Sequence, residues 1–217
     1  MAEIDLLVDY PKAKRNLEER AGQKNEEDVK IARQFGKEFF DGPRSQGYGG
    51  YHDWKRWLPV AKHIIEHYKL GPDSSILDVG CAKGFALFAF QEVLPSLKVA
   101  GVDVSQYAID NAPESVKPYL KVADAKELPY PDKSFDFVIS INTVHNLDLE
   151  ECKEAIKEIE RVKKDFAFIT VDAYRNEEEK KRMMMWNLTA QTILSVDDWK
   201  KLFTEVGYTG DYYWFIP

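Results

Sequence analysis

Residues 76–84 read Ile-Leu-Asp-Val-Gly-Cys-Ala-Lys-Gly, and this stretch decides the fold. Ile76–Val79 is a short apolar run of the kind that forms a strand buried on both faces. Asp78 stands near its end, Gly80 and Gly84 bracket a tight turn, and Phe85-Ala86-Leu87-Phe88-Ala89-Phe90 opens a helical pattern. A strand that ends in glycines and feeds a helix lets backbone approach a ligand and leaves N–H groups pointing out of the helix start. A second strand, Val99-Ala100-Gly101-Val102-Asp103, follows. Its acid lies about 20 residues beyond the turn, where nucleotide-binding α/β folds hold ribose hydroxyls.

A dinucleotide turn of the G-x-G-x-x-G type would place its third glycine at position 85, which is Phe85. The close approach to a pyrophosphate that those glycines permit is therefore denied. The alternative for Asp78 and Asp103 is that they cap the helices after their strands.

Taken in order, four segments resemble the class I S-adenosylmethionine-dependent methyltransferases, from about Ser75 to about Lys164. Asp78-x-Gly80-x-x-x-Gly84 resembles the family's glycine-rich first motif, and Asp103 matches the acid that ends its second strand. Asp124-Ala125 is similar to the pair that holds the adenine ring, and Phe135-Asp136-Phe137-Val138-Ile139-Ser140 to the strand leading to the reaction centre. The resemblance implies an α/β, Rossmann-like methyltransferase fold: a central, mostly parallel sheet, helices on both faces and an N-terminal helical extension. It also implies S-adenosyl-L-methionine as cofactor, with contacts from Asp78, Gly80, Ala82, Gly84, Asp103, Val104, Asp124, Ala125 and Asn142. One position departs from the family pattern. Ala82 stands where a middle glycine is usual, and its Cβ narrows access to positive φ, so a slightly different turn is expected.

Outward from this core, strands are expected near 75–80, 98–103, 119–123, 135–141 and 165–171, with helices near 84–94, 105–112 and 148–164. Such alternation means parallel strands joined by crossover helices. The last of these helices carries an apolar stripe of Leu149, Cys152, Ile156, Ile159 and Val162. Before the core, a helix is expected over Asn25–Phe40, ended by Asp41-Gly42-Pro43, and a second over Trp57–Tyr68. After it come a polar, then Met- and Trp-containing insertion at 174–192, a helix near 195–206 and a last strand, Tyr212–Ile216. The family ordinarily finishes with two strands, which leaves the far sheet edge open here. The chain thus reads as a single methyltransferase domain over 1–217: a helical extension or lid at 1–72, a cofactor-binding core at 73–173, and a substrate-side insertion with the final helix and strand at 174–217.

Composition bounds the function. A length of 217 residues suits one α/β domain with a full core. The net charge of −7 and the lack of any Lys/Arg block speak against nucleic acid as a partner, because neutralising phosphates requires a basic face. Cys81 and Cys152 are the two cysteines, too few for a disulfide framework. Neither a signal-peptide pattern nor a membrane-length apolar run is present, so no membrane partner and a cytoplasmic location are expected. His63-x-x-Glu66-His67 matches a zinc-peptidase spacing on three letters, with no third ligand evident. No metal is expected.

The loop after the fourth strand, Asn142-Thr143-Val144-His145-Asn146-Leu147, lies at the carboxyl ends of the strands, where such folds bind ligands. Methyl transfer from a sulfonium is an in-line displacement, for which the protein positions the partners and, for a weak nucleophile, removes a proton. His145 is the candidate base, the alternative being a histidine bonded to backbone. Tyr48, Tyr51, His52 and Trp54 form an aromatic-rich segment that either closes over the ligand or fastens the N-terminal helices. On the first reading Tyr48 and Tyr51 join the cofactor contacts, and His52 faces the substrate. Asn146, Trp186, Asn187 and Thr189 are further candidates for the acceptor pocket, since loops at the strand ends carry such contacts. The expected function is methyl transfer to a small-molecule substrate: a sugar, a nucleotide-sugar or another hydroxylated metabolite. The alternative is a non-catalytic regulatory or partner protein that binds an adenosyl ligand.

Overall fold

Ile76, Leu77, Asp78 and Val79 are all buried, as a strand covered on both faces requires. They belong to β1 (Ser75–Val79) at the centre of a sheet whose strands all pair in parallel. The computed structural model describes residues 1–11, 17–23 and 25–217. The other strands are β2 (Lys98–Asp103), β3 (Leu120–Val122), β4 (Phe135–Ile141), β5 (Lys163–Tyr174), β6 (Leu194–Ser195) and β7 (Asp211–Phe215). Their order is β3-β2-β1-β4-β5, with β6 and β7 both pairing with β5. The chain reverses its direction of strand addition between β1 and β4, and the carboxyl ends on either side of that point form the ligand-binding crevice of such sheets.

Helices cover both faces. On one, α4 (Leu58–Tyr68) and α5 (Phe85–Val93) bury Val60, Ile64, Leu87 and Phe90 against Ile76, Phe137 and Phe168. On the other, α7 (Leu149–Val162) and α9 (Val196–Glu205) bury Ile156, Ile159, Trp199 and Phe203 against Leu77, Val138 and Ile169. Leu149, expected in the α7 stripe, is exposed on the helix's first turn. No helix among the described residues is long and apolar enough to cross a membrane.

Two expectations need correction. The helix foreseen over Asn25–Phe40 is two helices, α2 (Glu26–Ala32) and α3 (Lys37–Asp41). Between them Phe35 takes φ +49° and Gly36 serves as the N-cap of α3, and a positive φ cannot continue a right-handed helix. The far sheet edge is completed in an unexpected way. Ile4 N–H donates to Tyr212 O and Tyr212 N–H to Ala2 O, both at 3.0 Å, so residues near the chain's start pair beside β7. The helical extension foreseen over 1–72 includes residues 12–16 and 24, which lie outside the described residues. Its described part also holds α1 (Leu17–Gln23).

Candidate active site

The glycine turn is built from hydrogen bonds to β2. Gly80 N–H and Cys81 N–H both donate to Val102 O, at 2.8 and 2.9 Å, and Ala82 N–H donates to Asp103 Oδ2 at 2.7 Å. Gly80, Ala82 and Gly84 all have positive φ. A Cβ on Gly80 would overlap the Thr143 side chain, so that position is restricted to glycine. Ala82 was expected to alter the turn. Instead it takes φ +51° against a left-handed penalty of about 1–2 kcal/mol, and the bond to Asp103 helps hold it there.

Asp103 accepts on both oxygens, from Ala82 N–H and from Ser105 N–H at 2.8 Å. Burial raises its pKa, and these two bonds partly offset the rise. Each carboxylate oxygen keeps a further lone pair for a ligand hydroxyl. Beside it Val104 is 52% exposed, an apolar ledge at the mouth of the crevice. Asp124 accepts from Lys126 N–H at 3.0 Å and lies 3.5 Å from Lys126 Nζ, with Ala125 buried behind it. Asp78 is 5% exposed, and among the described residues no group donates a hydrogen bond to its carboxyl. Burial, reinforced by the nearby Asp103, pushes its pKa up to about 8.

These residues line a cavity of about 1140 Å³ that runs over the carboxyl ends of β1, β2, β4 and β5. Asp78, Gly80, Ala82, Asp103, Val104, Asp124 and Ala125 form one end, and Asn142, His145, Asn146, Trp186, Asn187 and Thr189 the other. Tyr48 and Tyr51 line the cavity as well. Two expected residues are not in the lining. Gly84 packs against Leu120 and Val116, so its role is close contact between turn and β3. His52 points outward, 73% exposed, with its Nε2 3.5 Å from Asp41 Oδ1. Trp54 packs edge-on against Phe88 at 4.5 Å and so fastens the N-terminal segment to α5.

A hub that sequence reading missed holds that segment in place. Lys83, inside the glycine turn, is 3% exposed and donates to both Asp41 oxygens, at 2.8 and 2.6 Å, and to Tyr51 O at 3.0 Å. Asp41 also accepts from Tyr107 Oη at 2.7 Å and from Tyr51 N–H at 3.2 Å. Burial alone would raise the Asp41 pKa, but the bonds from Lys83, Tyr107 and Tyr51 outweigh it and hold the carboxyl below its ordinary value. Tyr51 is thereby stacked on Phe85 with ring centroids 4.9 Å apart, and Tyr48 on Tyr51 at 4.8 Å. Tyr48 is 45% exposed, opening onto the cavity.

The reaction end is as tightly specified. Asn142 takes φ +52°, which Asn tolerates better than most residues, and its Oδ1 accepts from Thr170 Oγ1 at 3.0 Å. His145 is 4% exposed. Its Nδ1 accepts the Asp172 N–H at 2.8 Å, and its carbonyl accepts from Gln191 and Thr192, both at 2.9 Å. Burial lowers its pKa, against a smaller opposing pull from Asp172. With the Nδ1 lone pair occupied, the neutral ring carries its proton on Nε2. Asn146 donates to Asn142 O at 3.2 Å, while its own Oδ1 is buried and meets no donor among the described residues.

Set beside known proteins, residues 77–169 match the methyltransferase-domain family. The chain is 33% identical over 148 residues to the tRNA (carboxymethyluridine(34)-5-O)-methyltransferase of Arabidopsis thaliana, covering 66% of this chain and 34% of that protein. It is 32% identical over 93 residues to a demethylmenaquinone methyltransferase of Symbiobacterium thermophilum, covering 39% and 36%. Among solved structures, an S-adenosylmethionine-dependent methyltransferase from Archaeoglobus fulgidus superposes with a TM-score of 0.56 over 80% of this chain and 72% of that one, at 18% identity. The last is a likeness of fold. Residues 77–169 are thus a methyltransferase domain of the class I, S-adenosylmethionine-dependent kind. The chain spans about a third of the length of the two named sequence relatives.

The cavity's first end suits that family's cofactor on its own chemistry. A half-buried carboxyl with spare lone pairs, an apolar ledge and an unpartnered Asp78 match a ribose, an adenine and a cationic end. Because the folded pKa of Asp78 lies above the unfolded one, Asp78 holds a proton near neutrality, and its ionisation costs stability increasingly as pH rises towards about 8. A cation placed beside it favours the ionised form. Cofactor binding at pH 7 should therefore release a proton, read as a dependence of calorimetric enthalpy on the buffer's ionisation heat, and Asp78→Asn should abolish it. An enthalpy independent of buffer would exclude this role.

Proposed function

We propose that this chain transfers a methyl group from S-adenosylmethionine to a small hydroxylated molecule, with sugars and nucleotide-sugars the first class to test. The observation that carries the reading is the size and lining of the cavity. Residues of the segments 35–51 and 186–191 border it, and its volume of about 1140 Å³ exceeds the roughly 300–1,000 Å³ usual for one small-molecule ligand, enough for a cofactor and a metabolite side by side. The net charge of −7 weighs in the same direction, against a polyanionic acceptor. When bound, the cofactor supplies an electrophilic methyl group on a sulfonium. Asp103 and Asp124 hold the adenosyl moiety, and the exposed side of Tyr48 borders the cavity beside them. Trp186 and Asn187 bound the acceptor's side of the cavity.

His145 takes a different part from a general base. Its Nε2–H donates, so it can orient an acceptor oxygen by that oxygen's lone pair, while proximity and alignment carry the rate. His145→Gln, whose amide can both accept from Asp172 N–H and donate, should keep most of the turnover. His145→Ala should lower stability by about 1–3 kcal/mol through the stranded Asp172 N–H. Its turnover should fall less than the 10²–10⁴-fold, about, that loss of a general base brings, and the pH–rate profile should keep its shape. A loss near the top of that range, with the acidic limb gone, would restore the base role.

Labelled S-adenosylmethionine incubated with metabolite extracts tests the function itself. Label should appear in low-molecular-weight products. Label confined to RNA or protein would refute the small-molecule reading, and no label anywhere would leave a ligand-binding protein without chemistry.

A further inference from the structure

We propose that the acceptor carries an anionic group, a phosphate or a carboxylate, which docks on Arg56 with the hydroxyls of Tyr10 and Tyr48. The proposal rests on the methyl-transfer reading for the word acceptor; the anion subsite itself rests on geometry. An unbroken line of contacts runs along the cavity. The Arg56 guanidinium lies over the Tyr10 ring at 5.0 Å, and Tyr10 packs on Trp57 at 4.9 Å. Trp57 Nε1–H donates to Tyr51 Oη at 3.1 Å, and Tyr51 packs on Tyr48. Arg44 then donates to Tyr48 O at 3.2 Å and lies over the Trp186 ring at 5.9 Å. Every residue in this line borders the cavity.

The charge pattern gives the line its meaning. Arg161 and Arg175, remote from the cavity, each meet carboxylates, Arg161 at 2.6 Å from Glu158 and Arg175 at 3.3 Å from Glu179. Arg56 instead spends one N–H on Pro11 O at 3.0 Å, and among the described residues no carboxylate comes within ion-pair distance of it. In a chain with 37 acidic and 30 basic residues, a guanidinium left without a carboxylate at an aromatic cavity wall is conspicuous. Arg33, on the same rim, bonds among the described residues to carbonyls, those of Thr189 and Ala190. Of the cavity's acids, Asp78, Asp103 and Asp124 lie at the cofactor end. Asp5 accepts from Leu7 N–H at 3.1 Å and is bonded by Tyr213, and Asp172 faces His145. A guanidinium fork flanked by phenol donors in an aromatic wall is the donor set that recognises planar or tetrahedral oxyanions.

Thermal unfolding with adenosylhomocysteine present tests this without any turnover. Sodium phosphate and sodium acetate are titrated against sodium chloride at matched ionic strength. One anion should raise the melting temperature saturably in the unaltered protein and in Arg182→Gln, an exposed control on the helix 177–186. Which anion does so names the group. Arg56→Gln should weaken the response about tenfold or more in apparent Kd, as the loss of a charge-assisted pair requires. No effect beyond chloride, or an unchanged response in Arg56→Gln, overturns the proposal. A second readout needs no variant: labelled methyl products from metabolite extracts should bind an anion exchanger at pH 8, and products that pass through uncharged overturn it. Anion stabilisation without labelled product would leave the subsite standing and sink the methyl-transfer reading instead.

Discussion

Asp41→Ala should lower the stability of the folded chain by about 3–5 kcal/mol, the range for removing one partner of a buried ion pair. Lys83 is enclosed inside the glycine turn, and both of its strongest bonds go to Asp41. Without that carboxylate the ammonium keeps one carbonyl, Tyr51 O, and its charge is stranded. Tyr107 Oη and Tyr51 N–H lose an acceptor at the same time. Because Asp41 fastens residues 35–51 to the turn, the same substitution should weaken cofactor binding and speed proteolysis of that segment. Lys83→Met, alone or combined with Asp41→Asn, removes the charge that is stranded and should cost clearly less than Asp41→Ala. Denaturant titrations of these variants check the order, and equal losses in all of them would show that the pair is peripheral. The pH dependence follows in sign. The folded-state pKa of Asp41 lies below its unfolded value, so this stabilisation is complete above the unfolded value, about 4, and is lost as pH falls through the lower folded one.

The parts of this molecule that could be read from sequence are those whose cause is local. Gly80 is a glycine because its own φ and the nearby Thr143 demand it, and an alternation of apolar runs with amphipathic helices dictates parallel strands wherever it occurs. The cavity's cofactor end follows from the same local rules, since Asp103 ends β2 and Asp124 stands two residues beyond β3. The hub at Asp41 was not legible. Its partners Lys83 and Tyr107 are 42 and 66 residues away, and nothing in the spacing of an Asp before Gly-Pro announces them. The break at Phe35 was hidden by an apolar stripe that continues through it, and tertiary bonds such as Ser105 Oγ to Phe35 O at 2.5 Å accompany it. His145 was singled out from its position, but its tautomer depends on Asp172, a residue on the next strand. The edge pairing by residues 2–4 likewise depends on a partner more than two hundred residues away.

Asp103 concentrates binding and architecture in one carboxylate, so its substitutions should separate the two. Asp103→Asn preserves the shape but removes the charge, and its amide can accept through one oxygen only. Asp103→Ala removes both acceptors and strands Ala82 N–H and Ser105 N–H, each worth about 1–3 kcal/mol when left buried without a partner. Ala82 is also held at positive φ beside this carboxylate, so the turn should relax and carry Gly80 and Cys81 with it. Calorimetry with adenosylhomocysteine should therefore find at least about tenfold weaker binding in Asp103→Asn, from the loss of charge-assisted bonds worth about 1.5–3 kcal/mol. Asp103→Ala should bind more weakly still and melt at a lower temperature than Asp103→Asn. If Asp103→Ala binds the ligand as tightly as the unaltered chain, the ribose is held elsewhere. If affinity falls only in proportion to the lost stability, Asp103 is a strut for the turn rather than a ligand contact, and the two outcomes are distinguished by measuring binding well below the melting range, where every variant is fully folded.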